Sequence, residues 1–140
     1  MARVLVVDDD RAIRELLRFA LECEGHEVTV FRDGVEVLAY LAGGPDPSVI
    51  LMDVMMPRMD GLEVCRRLTA DPGLLGGHSL VLMTAAVGRA ELPPPPSPAT
   101  AILAKPFNLE QLYTVISTLT VPALTAERAL TLSPDVLLAS

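Results

Sequence analysis

Val4-Leu5-Val6-Val7-Asp8-Asp9-Asp10 sets four consecutive apolar residues, three of them β-branched, directly before three carboxylates. A run of this kind, with no polar alternation, fits a strand covered on both faces, and parallel sheets are where such strands occur. The same grammar recurs downstream. Ser48 to Met56 contains Val49-Ile50-Leu51-Met52 followed by Asp53, Leu80 to Met83 ends in Thr84, and the shorter Ala101 to Ala104 ends in Lys105-Pro106. His26 to Phe31 alternates as a further strand. Helical periodicity fills most of the gaps. Ile13, Leu16, Leu17, Ala20 and Leu21 repeat at helical spacing up to Gly25. Asp33 and Glu36 open a short helix through Val37, Leu38 and Leu41, which ends at Gly43 and Gly44. Pro57 stops the third strand, and Asp60 with Glu63 opens a helix through Leu62, Val64, Cys65 and Leu68. Asn108 with Gln111 opens the last strong helix, through Leu109, Leu112, Val115, Ile116 and Leu119. Five strands linked by helices predict an α/β fold with a five-stranded, doubly wound parallel sheet.

Two segments break the rhythm. Between Thr84 and Lys105, where a fourth helix belongs, the chain reads Glu91-Leu92-Pro93-Pro94-Pro95-Pro96-Ser97-Pro98. Consecutive prolines lack amide donors and oppose α-helical geometry, so that helix is expected to be shortened or missing. After Pro122 the weakly apolar stretch Leu124 to Leu138, split by Pro134, reads as one short helix with a frayed end. The expected division is a domain over 1–121, with a proline-rich connector at 91–98, and a C-terminal tail over 122–140 that is a short helix or linker remnant.

The composition narrows the function. The 140 residues are 51% hydrophobic and 21% charged, so the chain can bury a core and is not disordered throughout. A formal net charge of −7 repels nucleic-acid phosphates and anionic membranes, which argues against direct binding to either. Cys23 and Cys65 have no partner at metal-ligand spacing and read as free thiols in a reducing compartment. His26 and His78 read as solvated or satisfied loop histidines. No apolar run has the length of a signal h-region or a membrane span, so a cytoplasmic location is the expectation.

In an open α/β sheet, functional groups collect outside the carboxyl ends of the strands. Here those ends deliver Asp8, Asp9 and Asp10, then Asp53, Thr84 and Lys105. Converging carboxylates repel one another unless a cation joins them, and all-oxygen ligands select Mg²⁺ or Mn²⁺. A lysine and a hydroxyl beside them suit a phosphoryl group, toward which a carboxylate can act as nucleophile. Taken singly, each residue has a plainer reading: a helix cap for Asp8 to Asp10, a paired carboxylate for Asp53, a surface cation for Lys105.

Taken together and in order, Val6-Val7-Asp8-Asp9-Asp10, Asp53 followed by Met56-Pro57-Arg58-Met59-Asp60-Gly61, Met83-Thr84-Ala85, and Lys105-Pro106-Phe107 resemble the receiver domain of two-component response regulators. They resemble above all a stand-alone, chemotaxis-regulator-like receiver. The resemblance implies a flavodoxin-like sheet of strand order 2-1-3-4-5. It also implies a phospho-acceptor at Asp53, served by a histidine kinase or phosphotransfer protein. Mg²⁺ (or Mn²⁺) would be held by Asp9, Asp53 and the backbone carbonyl of Met55, and by Asp8 mostly through water. Lys105 and Thr84 would bind the phosphoryl group, and Pro106 would follow a cis peptide bond. The chain would then be a signalling phospho-acceptor rather than a turnover enzyme, acting on a downstream protein.

The chain also departs from the family. The aromatic switch position, three residues before the lysine, is Ile102. A missing fourth helix would uncover apolar surface, to be covered by the proline segment, the tail or a second copy in a homodimer. Met55 and Ala86, two residues beyond Asp53 and Thr84, offer nothing to orient a hydrolytic water. Two other functions fit parts of the pattern. A haloacid-dehalogenase-type phosphohydrolase would need an aspartate where Met55 stands, and a receiver-like interaction module would work without phosphorylation. A DNA-binding output module has no room within these residues.

Overall fold

β-branched runs and capped helices alternate through the chain as the periodicity predicts, in a computed structural model that describes residues 2–84 and 99–119 and the backbone of 136–138. The elements are β1 (Arg3–Val7), α1 (Arg11–Cys23), β2 (Glu27–Phe31), α2 (Gly34–Ala42), β3 (Val49–Asp53), α3 (Gly61–Ala70), α4 (Pro72–Leu75), β4 (Ser79–Thr84), β5 (Ala99–Ala104), α5 (Leu109–Leu119) and β6 (Val136–Leu138). The sheet order is β2-β1-β3-β4-β5-β6. The first five strands are parallel, in the order 2-1-3-4-5.

The sixth strand corrects the reading of the tail at one point. Val136–Leu138, expected as part of a frayed end, runs antiparallel beside β5, with Ile102 opposite Leu137. Three apolar residues after a proline are too few for periodicity to separate a strand from a frayed end, and the open edge of β5 supplies the missing partner. The third strand also stops sooner than expected, at Asp53 rather than Met56, because the chain turns away toward Pro57. The one-turn helix α4 is too short to carry a periodic signal in the sequence. The proline-rich connector at 91–98, and with it the question of the fourth helix, lies outside the described residues, as does most of the tail.

Alternation along the strands sorts the core into two layers. Val4, Val6, Leu51, Val81, Met83 and Leu103 face Leu17 and Leu21 of α1 and Leu112, Val115 and Ile116 of α5. Leu5, Val7, Ile50, Met52, Leu80 and Leu82 face Val37 and Leu41 of α2 and Val64, Cys65 and Leu68 of α3. Each side chain so buried contributes about 1.5–3 kcal/mol, against about 1 kcal/mol for a helix cap, so packing holds the helices and the caps set their starts. Asp10 accepts the amides of Ala12 and Ile13, Asp33 that of Glu36, and Asp60 that of Glu63. Asn108 and Gln111 bond each other's amides reciprocally at 2.8 Å. Cys65 is a core residue whose thiol burial pushes up to about 12, while Cys23 is exposed; both are free. Among the described residues no helix is long and apolar enough to cross a membrane.

Both histidines are satisfied loop residues. Nδ1 of His26 accepts the Ala2 amide, and Nδ1 of His78 accepts the Ser48 amide, each at 3.0 Å. These bonds tie the entries of β1 and β3 to neighbouring loops, and they require an unprotonated Nδ1. Burial is the first cause that lowers both pKa values from the ordinary 6.5. The folded chain therefore binds fewer protons than the unfolded chain just below that value. Stability should be fully present above pH 6.5 and fall as the pH drops toward the folded-state values. Urea unfolding at pH 7.5 and 5.5 should show this loss, and His78→Gln should reduce it.

Candidate functional site

Register places four side chains at one end of the sheet. β1 and β3 are paired from Val4–Val49 to Val7–Met52, so the residues that follow, Asp8 and Asp53, leave the sheet side by side. Thr84 ends β4 opposite Ala104 of β5, and the amide of Lys105 donates to the Thr84 carbonyl at 2.8 Å. That bond turns Lys105 back across the strand ends. Its Nζ stands 3.3 Å from Asp53 Oδ2 and 3.6 Å from Asp8 Oδ2. The Lys105–Pro106 peptide is cis.

Asp8, Asp9 and Asp53 each offer an oxygen within 4.8 Å of the other two, with Asp8 and Asp53 buried and Asp9 exposed. Asp8 is held on three sides. Its amide donates to Phe31 O, its Oδ1 accepts the Asp10 amide at 2.9 Å, and its carbonyl accepts Arg14 Nη1 at 2.8 Å. Its Oδ2 is buried and has no hydrogen-bond partner, and Lys105 is too distant to supply one. Burial, in the first place, raises the Asp8 pKa above the ordinary carboxylate value. The Asp10 amide and Lys105 oppose that shift, and the charges of Asp53 and Asp9 add to it. A buried carboxylate oxygen without a donor, facing two further carboxylates, is the donor set a hard divalent cation would complete.

The loop after Asp53 is held close to the strand end. Asp53 Oδ1 accepts the Met55 amide at 3.2 Å, the Val54 amide donates to Met83 O, and the Gly61 amide donates to Val54 O at 2.9 Å. A Cβ on Gly61 would lie 2.8 Å from the Asp53 carbonyl oxygen, so this approach needs glycine. The Met55 side chain is 64% exposed. Ile102 sits at mid-strand in β5, between Leu82 and Leu137, away from the carboxylates. Ala86 lies outside the described residues. Arg14 escaped the sequence reading, since an arginine on the first turns of α1 looks like any solvated helix residue.

A family model described as the response regulator receiver domain matches residues 4–117. Response regulator MprA of Mycobacterium sp. (strain KMS) and that of Mycobacterium tuberculosis (strain ATCC 25177 / H37Ra) are each 44% identical to this chain over 111 residues. The match covers 79% of this chain and 46% of each relative, so the chain spans about half the length of those proteins. Among solved structures, the Francisella response regulator 1452 receiver domain is similar at a TM-score of 0.72 and 28% identity, covering 85% of this chain and 96% of the other. The Thermotoga maritima response regulator TrrA, in complex with Mg²⁺ and BeF, is similar at a TM-score of 0.70 and 30% identity, covering 85% and 99%.

The charge on Asp8 should cost stability when no cation is present. With a folded-state pKa above the unfolded value, its favourable contribution is complete below the ordinary carboxylate range and is lost as the pH rises through the raised value. Asp8→Asn is therefore expected to raise the cation-free Tm at pH 7 by about 3 °C, and calorimetry at pH 4.5 should show a smaller gain.

Proposed function

The chain belongs to the response regulator receiver domain family, and from that premise we propose that it accepts a phosphoryl group on Asp53 from a histidine kinase or a phosphotransfer protein. The observation that carries this reading is the placement of Lys105 Nζ beside Asp53 and Asp8, with the second oxygen of Asp8 buried and unbonded. A lysine so placed can balance the charge of a phosphoryl group on one carboxylate while the others hold a metal.

The reaction is a displacement at phosphorus. An oxygen of the Asp53 carboxylate forms the new P–O bond while the P–N bond to the donor imidazole breaks, its electron pair returning to nitrogen. The product is an acyl phosphate on Asp53. Mg²⁺ (or Mn²⁺), bound through Asp8, Asp9, Asp53 and the Met55 carbonyl, would screen the charge on the phosphoryl oxygens. Lys105 is in position to pair with one of those oxygens. Thr84, buried at the end of β4, would contribute its hydroxyl to another. The Mg²⁺–BeF complex of the Thermotoga relative supports such a site.

Signalling then proceeds through contact with a downstream protein, in the cytoplasm, from a receiver unit that occupies residues 1–121. The family match over 4–117 supports that extent. Turnover as a phosphohydrolase is disfavoured because Met55, at the position where that chemistry needs an acid or base, cannot move a proton.

Intact mass after incubation with Mg²⁺ and acetyl phosphate tests the reading. One added phosphoryl group is expected on the wild type and none on Asp53→Asn. An unmodified wild type would leave the phosphorylation-independent module as the better description. The acyl phosphate should outlast seconds, since neither Met55 nor Ala86 carries an acid, base or amide that could orient a hydrolytic water. Met55→Glu should shorten its lifetime by roughly tenfold or more, followed by the same mass measurement over time.

A further inference from the structure

The loop between β3 and α3 is gripped at its tip by the start of α2, a helix with no part in the chemistry described above. Two consecutive residues on each side meet. Arg58 Nη1 lies 3.0 Å from Asp33 Oδ2, and the Gly34 amide donates to the Met59 carbonyl at 3.3 Å. The Asp33 side chain is 5% exposed and that of Arg58 61%, so the guanidinium reaches in from solvent to a buried carboxylate. The other Asp33 oxygen is already committed, accepting the Glu36 amide at 3.0 Å.

Between these contacts the backbone adopts a costly shape. The Met59 amide donates to the Pro57 carbonyl at 2.7 Å, closing a three-residue turn centred on Arg58, whose φ is 65°. A side chain with a Cβ rarely adopts this conformation, and it persists where the surroundings over-determine it. Gly34 makes the grip possible. A Cβ there would come 2.5 Å from Val64 Cγ2 and 3.0 Å from the Met59 carbonyl oxygen.

The strained turn lies three residues beyond Met55. The loop's neck is fixed to the sheet by Val54 and Gly61, while the largely exposed Met55 side chain gains little from packing. Core packing of its neighbours Val54 and Met56, with the polar contacts at neck and tip, therefore holds the Met55 backbone. We propose that the Asp33–Arg58 pair, with the Gly34–Met59 bond, is a latch that presents the Met55 carbonyl to the bound cation, which makes Arg58 and Asp33 positioning residues for phosphoryl transfer. The proposal rests on the reading of Asp53 and its cation given above.

The test uses the full chain and three readouts. In the metal-free protein, Arg58→Ala should speed amide exchange at Gly34 and Met59 while the β3 amides keep their protection. By titration calorimetry, its Kd for Mg²⁺ should rise about tenfold, the scale on which outer partners of metal ligands act. Phosphorylation by acetyl phosphate should slow at low Mg²⁺ and recover at saturation. Arg58→Gly relieves the φ strain and also removes the ion pair of the latch. It should resist urea better than Arg58→Ala yet lose Mg²⁺ affinity equally, a pattern that a purely structural role would not give. Arg58→Lys should recover part of the affinity. The latch is overturned if the alanine and glycine variants bind Mg²⁺ as the wild type does, or if affinity only follows urea stability. A wild type that neither binds Mg²⁺ nor takes up phosphoryl overturns the reading of Asp53, and the latch with it, whatever the exchange rates show.

Discussion

Three carboxylates held within 4.8 Å of one another at the end of a buried sheet are a charge conflict, and most of the local structure answers to it. Lys105 is the cation the chain itself supplies. It reaches the acids because β5 lies beside β4, and its amide bonds the Thr84 carbonyl. Two apolar layers fix the strands in that order, so the side chains that would repel one another in solution are assembled by packing far from them. Burial drives the assembly, and the electrostatic strain is concentrated on Asp8, whose second oxygen stays without a donor.

That division of labour explains how much could be read from the sequence. The strand ends were legible because each buried run stops on a residue that has no reason to be inside: Asp8, Asp53, Thr84 and Lys105. The helix starts were legible as well, since Asp33, Asp60 and Asn108 precede their acidic or amide partners by three residues, and the structure shows each accepting the expected amide. Local pattern and tertiary fold agree at these points.

What stayed hidden depends on pairs distant in sequence. Asp33 announces itself only as a cap, yet its other oxygen holds Arg58, a partner that no periodicity or spacing connects to it. The histidines show the same limit from the other side. Their bonds to Ala2 and Ser48 join residues 24 and 30 positions apart, and a solvated loop histidine would look identical in the sequence. Val136–Leu138 is strand because β5 offers it a ladder, a fact that belongs to β5.

That ladder changes what kind of surface the sheet shows to other chains. Without it, the six residues of β5 would stand as an open row of amides and carbonyls, a ready template for a foreign strand. With Val136–Leu138 in place, Ala101, Ile102 and Leu103 in the middle of β5 are paired on both sides. A foreign strand would find that stretch of the edge already taken, so the pairing works against strand-by-strand aggregation through those three residues.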